Sequence, residues 1–279
     1  MTPTNFSWVH LLSQIANILA QNKIGSGFDI STAMYGSQIF QKFPEKLVSE
    51  KLLTCFNEMK DFEFIKVELI EVMKKFKEFE QKIIKIPNIN LKTYLMDFST
   101  GSDTRILVGK VKEYLKLKNE TIEKFYNDSN EMTKNLMEFF EFENKDLKMQ
   151  EKNENYRNVM KELGVKSNVE IEPDVITIIL DFMMKIEKNV VYCICPGAGG
   201  YDAACFLVKE DCQINLADFN KKMEELKEGV NIDFVRENYQ KKEKFFVNSF
   251  EDLMKKLKKT EIKIMEKKID KEGLKLVEF

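Results

Sequence analysis

The sequence of 279 residues is poor in residue types that mark particular functions. It has one histidine, one tryptophan and five cysteines, so neither a histidine-rich metal site nor a dense disulfide scaffold is expected. Arginine occurs only at Arg105, Arg157 and Arg236, and lysine lacks the planar fork with which arginine reads nucleic-acid bases. Since 44 basic residues face 46 acidic ones, for a net charge of −2, we expect no nucleic-acid partner.

Membrane and export signals are missing as well. No run of about 18 apolar residues occurs, so a membrane-spanning helix is not predicted. The first residues lack a basic segment followed by an apolar core, which argues against a secretory signal. The odd number of cysteines fits a reducing compartment. These features predict a cytoplasmic protein with no membrane partner.

The pattern of apolar residues predicts an α+β protein in which long helices accompany antiparallel strands. Breaks between the helices are expected near Asn153 and at Gly164 to Pro173. The predicted helices are Phe6–Ala20, a short helix containing Asp29, most of Pro44–Phe79, one carrying Ile106 to Leu115, three between Glu120 and Ile186, and Asn220–Glu228. The predicted strands are Gln38–Phe43, Leu91–Phe98, Val190–Cys195, Ala203–Val208, Asn231–Val235 and Ile262–Met265.

Two glycine clusters stand out because the chain has only 11 glycines. They are Gly25-Ser26-Gly27, ahead of an expected helix, and Gly197-Ala198-Gly199-Gly200, after an expected buried strand. Glycine tolerates positive φ, so such turns can point backbone N–H groups at an anion, and a following helix adds its positive dipole end. The alternative is a tight turn that merely needs small residues. Neither cluster is a Walker A loop or a dinucleotide fingerprint.

A carboxylate follows each cluster: Asp29 after the first and Asp202 after the second. A carboxylate repels an anion, so it is an unexpected neighbour for a site that only binds phosphate. It suits a site where a proton leaves an attacking hydroxyl or phosphate. The two clusters therefore favour phosphoryl-transfer chemistry.

Two segments, Lys23–Ser37 and Pro196–Ala203, resemble the two signatures of eukaryotic phosphomevalonate kinases, which belong to the GHMP superfamily. Both glycine clusters fall inside these segments. Three further pieces resemble the family in the same order along the chain: His10–Ala16; Asp97 with Gly101–Thr104; and Ile171–Val175 with Leu180 and Asp181.

The resemblance implies a GHMP-kinase-like α+β fold. Residues 1–43 would be a remnant of the N-terminal domain, and 44–279 would form the ferredoxin-like C-terminal domain with its long helices. It also implies an activity: transfer of a phosphoryl group from ATP, with Mg²⁺, to 5-phosphomevalonate. The products would be 5-diphosphomevalonate and ADP, in the mevalonate route to isoprenoids and sterols.

Site residues follow from the same resemblance. Asp29 would lie beside the accepting group as base or electrostatic partner, and Lys23 is the nearby cation for substrate phosphate. The remaining residues are expected to bind substrate or phosphate, and no protein metal-ligand set is predicted. These residues are Gly25, Ser26, Gly27, Ser102, Thr104, Gly197, Ala198, Gly199, Gly200 and Asp202.

Two family elements have no counterpart in these 279 residues: the ATP loop and the first strand region, which carries an N-terminal catalytic lysine in family members. The superfamily's ATP loop, Pro-x-x-x-Gly-Leu-Gly-Ser-Ser-Ala, precedes in family members the helix with which this chain begins. We therefore expect Met1 to fall past the nucleotide loop. Two alternatives to a kinase stay open: a non-catalytic remnant that binds a phosphorylated metabolite or a protein partner, and a purely structural helical module.

Other residues that can carry chemistry have simpler interpretations. His10 is expected to be structural. Cys193, Cys195, Cys205 and Cys212 lack the spacing of a zinc site and are interpreted as small buried side chains. The lysine- and glutamate-rich stretches Lys51–Lys85 and Lys112–Lys161 are interpreted as solvated helix faces.

Overall fold

A computed structural model describes residues 3–21, 25–40, 61–80, 84–85, 91–117, 120–141, 148–209, 212–241 and 245–267. The described residues 3–85 belong to one compact unit and 91–267 to a second. The expected domain boundary after residue 43 stays a prediction. None of the helices in the described ranges is long and apolar enough to cross a membrane.

The first unit is built around a helix whose apolar residues recur every three to four positions. Leu11, Ile15 and Ile18 lie on one face of this helix and are at most 4% exposed, which confirms the amphipathic helix predicted near the N-terminus. The short strands pair in antiparallel fashion. The elements are α1 (Pro3–Gln21), α2 (Phe28–Tyr35), β1 (Gln38–Ile39), α3 (Phe62–Glu80) and β2 (Ile84–Lys85).

The second unit contains a four-stranded antiparallel sheet in the order β4-β5-β3-β6. Its strands are β3 (Leu91–Asp97), β4 (Val190–Ile194), β5 (Ala203–Lys209) and β6 (Lys263–Lys267). Its helices are α4 (Thr104–Leu115), α5 (Glu120–Glu141), α6 (Met149–Ser167), α7 (Asp174–Ile186), α8 (Leu216–Lys227), α9 (Ile232–Lys241) and α10 (Phe250–Lys259). Helices separate β3 from β4 and β5 from β6, while β4 and β5 form a hairpin. This β-α-β-β-α-β order is the expected ferredoxin-like arrangement.

The main core lies between this sheet and helices α7 to α10. Alternate residues of β3 and β5 point into it, as the two-residue period of a strand requires. Tyr94 and Phe206 are cross-strand partners whose rings stack with centroids 5.2 Å apart. α7 has nine buried residues from Asp174 to Met183, and all of them except Asp174 and Thr177 are apolar.

Most predicted elements are confirmed where the structure describes them, but three predictions differ. Of the helix predicted over most of Pro44–Phe79, residues 44–60 lie outside the described residues. α6 continues through Asn153 and Gly164, so the break predicted near Asn153 is wrong, and the next helix break begins only after Ser167. The segment Asn231–Val235 belongs to helix α9 rather than a strand. Of the predicted strand Gln38–Phe43, β1 contains Gln38 and Ile39, and residues 41–43 lie outside the described residues.

Candidate functional site

The first glycine turn leads directly into α2. Gly27 has φ of +77°, a left-handed conformation that glycine adopts without steric cost. Its carbonyl oxygen accepts from Ser31 N at 3.1 Å, which closes the first turn of the helix. Asp29 lies in that first turn and is exposed. Its carboxylate is therefore at the positive end of the helix dipole.

A buried chain of polar side chains lies beneath this turn. Gln14 Nε2 donates to Gly27 O at 2.8 Å and lies 3.1 Å from His10 Nε2. The other ring nitrogen, His10 Nδ1, is 2.9 Å from Glu80 Oε1, which also accepts from the Tyr35 hydroxyl. His10 is fully buried and Gln14 is 2% exposed. Gln14, which is bonded to His10, thus contacts the inner side of the turn that carries Asp29.

The carboxyl of Glu80 is tuned by these neighbours. Burial by itself raises its pKa, but hydrogen bonds from His10, Ser7 and Tyr35 favour the charged form and hold the pKa below its ordinary value. Burial and the bond to Glu80 raise the pKa of Tyr35 well above its usual range. Glu80 is therefore an anion and Tyr35 a neutral donor at neutral pH.

The second glycine cluster forms a loop between β4 and β5 with three left-handed residues. The φ angles are +71° at Gly197, +78° at Gly199 and +93° at Gly200. Gly200 N donates to Ile171 O at 2.9 Å. A Cβ at Gly199 would overlap the backbone of Ile171, so the close approach itself requires glycine. This loop is therefore built on the segment that leads into α7.

The turn between β3 and α4 is hydrogen-bonded to the glycine loop. Ser102 N donates to Asp202 Oδ1, and Tyr201 N donates to Ser102 Oγ, each at 2.7 Å. Thr100 Oγ1 donates to Tyr201 O at 3.0 Å. Asp103 accepts from the N–H groups of the first turn of α4 and caps that helix. The predicted residues Ser102 and Asp202 are thus direct hydrogen-bond partners.

Below the loop, α6 and the entry to α7 share a buried network of charges. Arg157 makes a bidentate pair with Glu172, with Nε and Nη2 at 2.9 and 2.7 Å from the carboxylate oxygens. Its Nη1 reaches Asp181 Oδ1 at 3.0 Å. Lys161 Nζ donates to Asp174 Oδ1 at 2.6 Å and to Glu172 O at 3.1 Å. The segment carrying Ile171 is therefore fixed by ionic bonds.

Burial would lower the pKa of Arg157, but the negative charges of Glu172 and Asp181 raise it well above its ordinary value. Asp174 also accepts from the N–H groups of Phe246 and Val247, each at 2.7 Å. This network is not among the features predicted from the sequence. One signal was available: a scarce arginine, and acidic residues on both sides of Pro173 in an otherwise apolar stretch.

The prediction of small buried side chains is confirmed for Cys193 and Cys195 and only in part for Cys205 and Cys212, which are half-buried. Cys193 and Cys195 are buried, and burial raises the pKa of the Cys193 thiol to about 12. The pKa of Cys205 rises to about 11 for the same reason. Such thiols stay protonated and are poor metal ligands. Across the described ranges, no group of three or more His, Cys, Asp or Glu side chains is arranged to hold a metal ion.

The predicted site residues fall into two groups. Gly25, Ser26, Gly27 and Asp29 share the turn at the start of α2 in the first unit, while Lys23 lies outside the described residues. The rest lie in the second unit, where Ser102, Asp202 and the glycine loop are in contact and Thr104 begins α4. The assignment of these residues to substrate and phosphate stays a prediction.

A separate cavity of about 560 Å³ lies between α5, α6 and the end of α9. Charged side chains of both signs line it, with Lys124, Lys152 and Lys241 alongside Asp128 and Glu131. None of the predicted site residues lines it. The cavity and the glycine loop are therefore distinct features of the second unit.

The fold resembles a solved structure. It matches the Lin0012 protein from Listeria innocua with a TM-score of 0.56 at 16% identity, over 96% of this chain and 61% of that one. At this identity the likeness concerns the fold alone, and it agrees with a mixed α+β architecture. No protein-family model matches the sequence.

Sequence relatives are more informative. The chain is 33% identical over 224 residues to the phosphomevalonate kinase of Candida albicans, covering 75% of this chain and 51% of the relative. It is 31% identical over 219 residues to that of Gibberella zeae, covering 73% and 45%. The Arabidopsis thaliana relative, named as peroxisomal, is 27% identical over 236 residues, covering 70% and 45%.

These matches confirm the resemblance inferred from the glycine signatures: the chain is related to the phosphomevalonate kinases. It spans about half the length of the relatives it matches. Placement in the wider GHMP superfamily stays a prediction.

Proposed function

We propose that this chain carries out phosphoryl transfer from ATP to 5-phosphomevalonate, and that its residues form the part of a phosphomevalonate kinase that binds 5-phosphomevalonate. The observation that carries the proposal is the 33% identity over 224 residues to a phosphomevalonate kinase. The exposed Asp29 at the end of a left-handed glycine turn, and the second glycine loop braced by Ser102 and Asp202, support it.

In the proposed step, an oxygen of the 5-phosphate attacks the γ-phosphorus of ATP. A new P–O bond forms, the bond from the γ-phosphorus to the bridging oxygen breaks, and ADP leaves. Catalysis of this kind depends mainly on positioning and on stabilising charge. Asp29 would accept the last proton of the acceptor phosphate, and Lys23 would offset the negative charge that gathers there.

Glycine loops would provide the phosphate contacts in this proposal. The turn at Gly25–Gly27 opens onto the positive end of α2, where an anion is favoured. In the loop at Gly197–Gly200, the N–H groups of Gly199 and Gly200 donate to Pro196 O and Ile171 O, so the backbone contacts to phosphate proposed there would come from Gly197 and Ala198. Ser102 keeps a hydroxyl hydrogen to donate, since its oxygen accepts from Tyr201 N.

ATP and Mg²⁺ are part of the proposal. Mg²⁺ in such enzymes is held largely by the nucleotide phosphates with one or two carboxylates, so a cluster of protein ligands is not required. When bound, Mg²⁺ would neutralise charge on the transferred group. The family's nucleotide loop does not occur in these 279 residues, so we assign no residue to the adenine or ribose.

We also propose a cytoplasmic location, on the sequence features alone. The name of the Arabidopsis thaliana relative points to peroxisomes, so the compartment is a separate question from the activity. Fluorescence microscopy of the tagged chain in its native cell decides between the two.

Thermal-shift titration of the purified chain tests the function and separates it from the alternatives. A ligand that binds only the folded state adds about 2.7 kcal/mol to the free energy of unfolding when its concentration is one hundred times its Kd, and Tm rises as a result. A kinase is expected to be stabilised by 5-phosphomevalonate and by Mg²⁺-ATP, and to release ADP when both are present. Stabilisation by 5-phosphomevalonate alone would indicate a binding remnant. No shift with either ligand would indicate a structural module.

A further inference from the structure

In the hydrogen bond between α1 and the first glycine turn, the donor and the acceptor can be assigned. Gly27 O is an acceptor, so the Gln14 atom 2.8 Å from it must be the amide nitrogen. That nitrogen can only donate, and it also lies 3.1 Å from His10 Nε2. His10 Nε2 must therefore be the unprotonated ring nitrogen. The hydrogen of the neutral ring then lies on Nδ1 and is donated to Glu80.

The space around the Gln14 amide is also restricted. A Cβ on Gly27 would lie 2.5 Å from Gln14 Oε1 and 2.8 Å from its nitrogen, so the amide packs directly against the turn. The His10 ring is held edge-on by Phe76 and Tyr35, with centroids 4.8 and 5.3 Å away. The Gln14 amide has little room to rotate, because it packs against Gly27 and donates to two acceptors, Gly27 O and His10 Nε2.

We propose that Gln14, oriented by His10, is a positioning residue that sets the glycine turn from which Asp29 extends. Gly27 and Asp29 are two residues apart, so a change in the turn changes where the carboxylate lies. This inference rests on the proposed function for its effect on phosphoryl transfer. The geometry itself is independent of that function.

Glu80 is the charged group facing His10 among the described residues, and Tyr35 is the other titratable one. Adding a second proton to His10 would place an N–H against the Gln14 amide nitrogen. To accept it, the amide would turn its oxygen toward His10 and withdraw its N–H from Gly27 O. The turn is thus set by one tautomer of His10.

Gln14→Glu tests the proposal because it changes the amide to a carboxylate of the same shape. The new carboxylate repels Gly27 O and favours a proton on His10 Nε2, whose N–H it can accept in a hydrogen bond. Gln21→Glu is the matched control, since Gln21 is on the same helix but exposed and bonded to Asn17. The experiment uses the complete 279-residue chain, in which His10 is the single histidine, so its ring ¹⁵N signals are identified without assignment.

In the unmodified chain, the ¹⁵N spectrum is expected to show a bare Nε2 and a protonated Nδ1. Gln14→Glu is expected to protonate Nε2 and to shift the backbone amides of Gly27 and Asp29, while Gln21→Glu leaves them unchanged. In the transfer assay, kcat per folded molecule should fall about 10- to 100-fold, with KM for 5-phosphomevalonate nearly constant.

A bare Nδ1 in the unmodified chain, or unmoved Gly27 and Asp29 amides in Gln14→Glu, would overturn the proposal. Moved amides with an unchanged kcat would overturn the link to transfer. Absence of transfer in the unmodified chain would instead count against the proposed function, and the spectra would still decide whether Gln14 sets the turn.

Discussion

Asp29 is an exposed carboxylate in the first turn of α2, where a negative charge is favourable for the helix whatever its other role. Stability and activity therefore have to be separated in any test of this residue. Replacement by asparagine removes the charge, keeps the shape and leaves the glycine turn intact. The activity loss then reports on the charge alone.

In the proposed mechanism Asp29 accepts a proton from the acceptor phosphate. We therefore expect Asp29→Asn to lower kcat for phosphoryl transfer by about 100-fold or more, because an amide cannot accept that proton. Unfolding free energy should fall by only about 0.3 to 1 kcal/mol through the helix dipole. Steady-state kinetics and urea unfolding measure the two effects. Asp233→Asn, in the exposed first turn of α9, is the control. Turnover near the unmodified level in Asp29→Asn would remove Asp29 from the mechanism.

Gly197 and Gly199 allow backbone strain to be separated from close packing. Both have positive φ, but a Cβ at Gly197 meets nothing within 4 Å, whereas one at Gly199 overlaps the Ile171 backbone. Gly197→Ala should cost about 1 to 2 kcal/mol, the strain of a left-handed alanine. Gly199→Ala should cost about 2 kcal/mol more, because backbone must move. Equal losses in urea unfolding would refute the close approach.

At the level of elements, α6 shows how a polar residue can mislead. Asn153 was expected near a break, yet its side chain turns inward and bonds both the N–H and the C=O of Cys193 on β4. It extends the sheet's hydrogen bonding into the helix layer. Asparagine is common in turns, which is why a break was expected here. In the folded chain the side chain instead bonds a distant strand, and the helix continues through it.

Gly109 and Gly164 are both helical glycines with opposite expected responses to alanine. A Cβ at Gly109 meets nothing within 4 Å, while one at Gly164 would lie 2.5 Å from Val169 O. Gly109→Ala should stabilise the chain by about 0.5 to 1 kcal/mol through helix propensity. Gly164→Ala should destabilise it by about 1 to 3 kcal/mol through overpacking. Urea unfolding monitored by circular dichroism measures both, and stabilisation by Gly164→Ala would contradict the packing of α6.

Segment Asn231–Val235 shows a limit of short patterns. Ile232 and Phe234 alternate with polar residues, which favours a strand. The structure has helix α9, with Val235 buried and Phe234 packed against Phe182 on α7. The ten-residue helix places both side chains on the core. Five residues are too few to distinguish the helical period from the strand period.

For the whole molecule, the second unit depends on buried charges. Arg157, Glu172 and Lys161 are each at most 3% exposed and link α6 with the entry to α7, on which the glycine loop rests. Removing the arginine leaves carboxylates without compensation inside the protein. The cost of such a change is large because the remaining charge keeps its desolvation penalty.

We expect Arg157→Met to destabilise the second unit by about 3 to 5 kcal/mol. Arg236→Met is the matched control, since Arg236 forms an exposed pair with Asp233 and should cost at most about 1 kcal/mol. Thermal and urea unfolding of both variants give the comparison. Similar losses for the two arginines would mean that the buried network contributes little.

The sequence by itself determined the α+β class, the amphipathic α1, the paired strands β4 and β5, both glycine turns and the relationship to phosphomevalonate kinases. These follow from residue-level sterics and from short periods, which act over a few positions. Only the tertiary structure decided the partners: Gln14 on Gly27, Asp202 on Ser102, and Arg157 on Glu172. Each joins segments 13 to 100 positions apart, and nothing in the local chain specifies which distant polar group will satisfy a buried one.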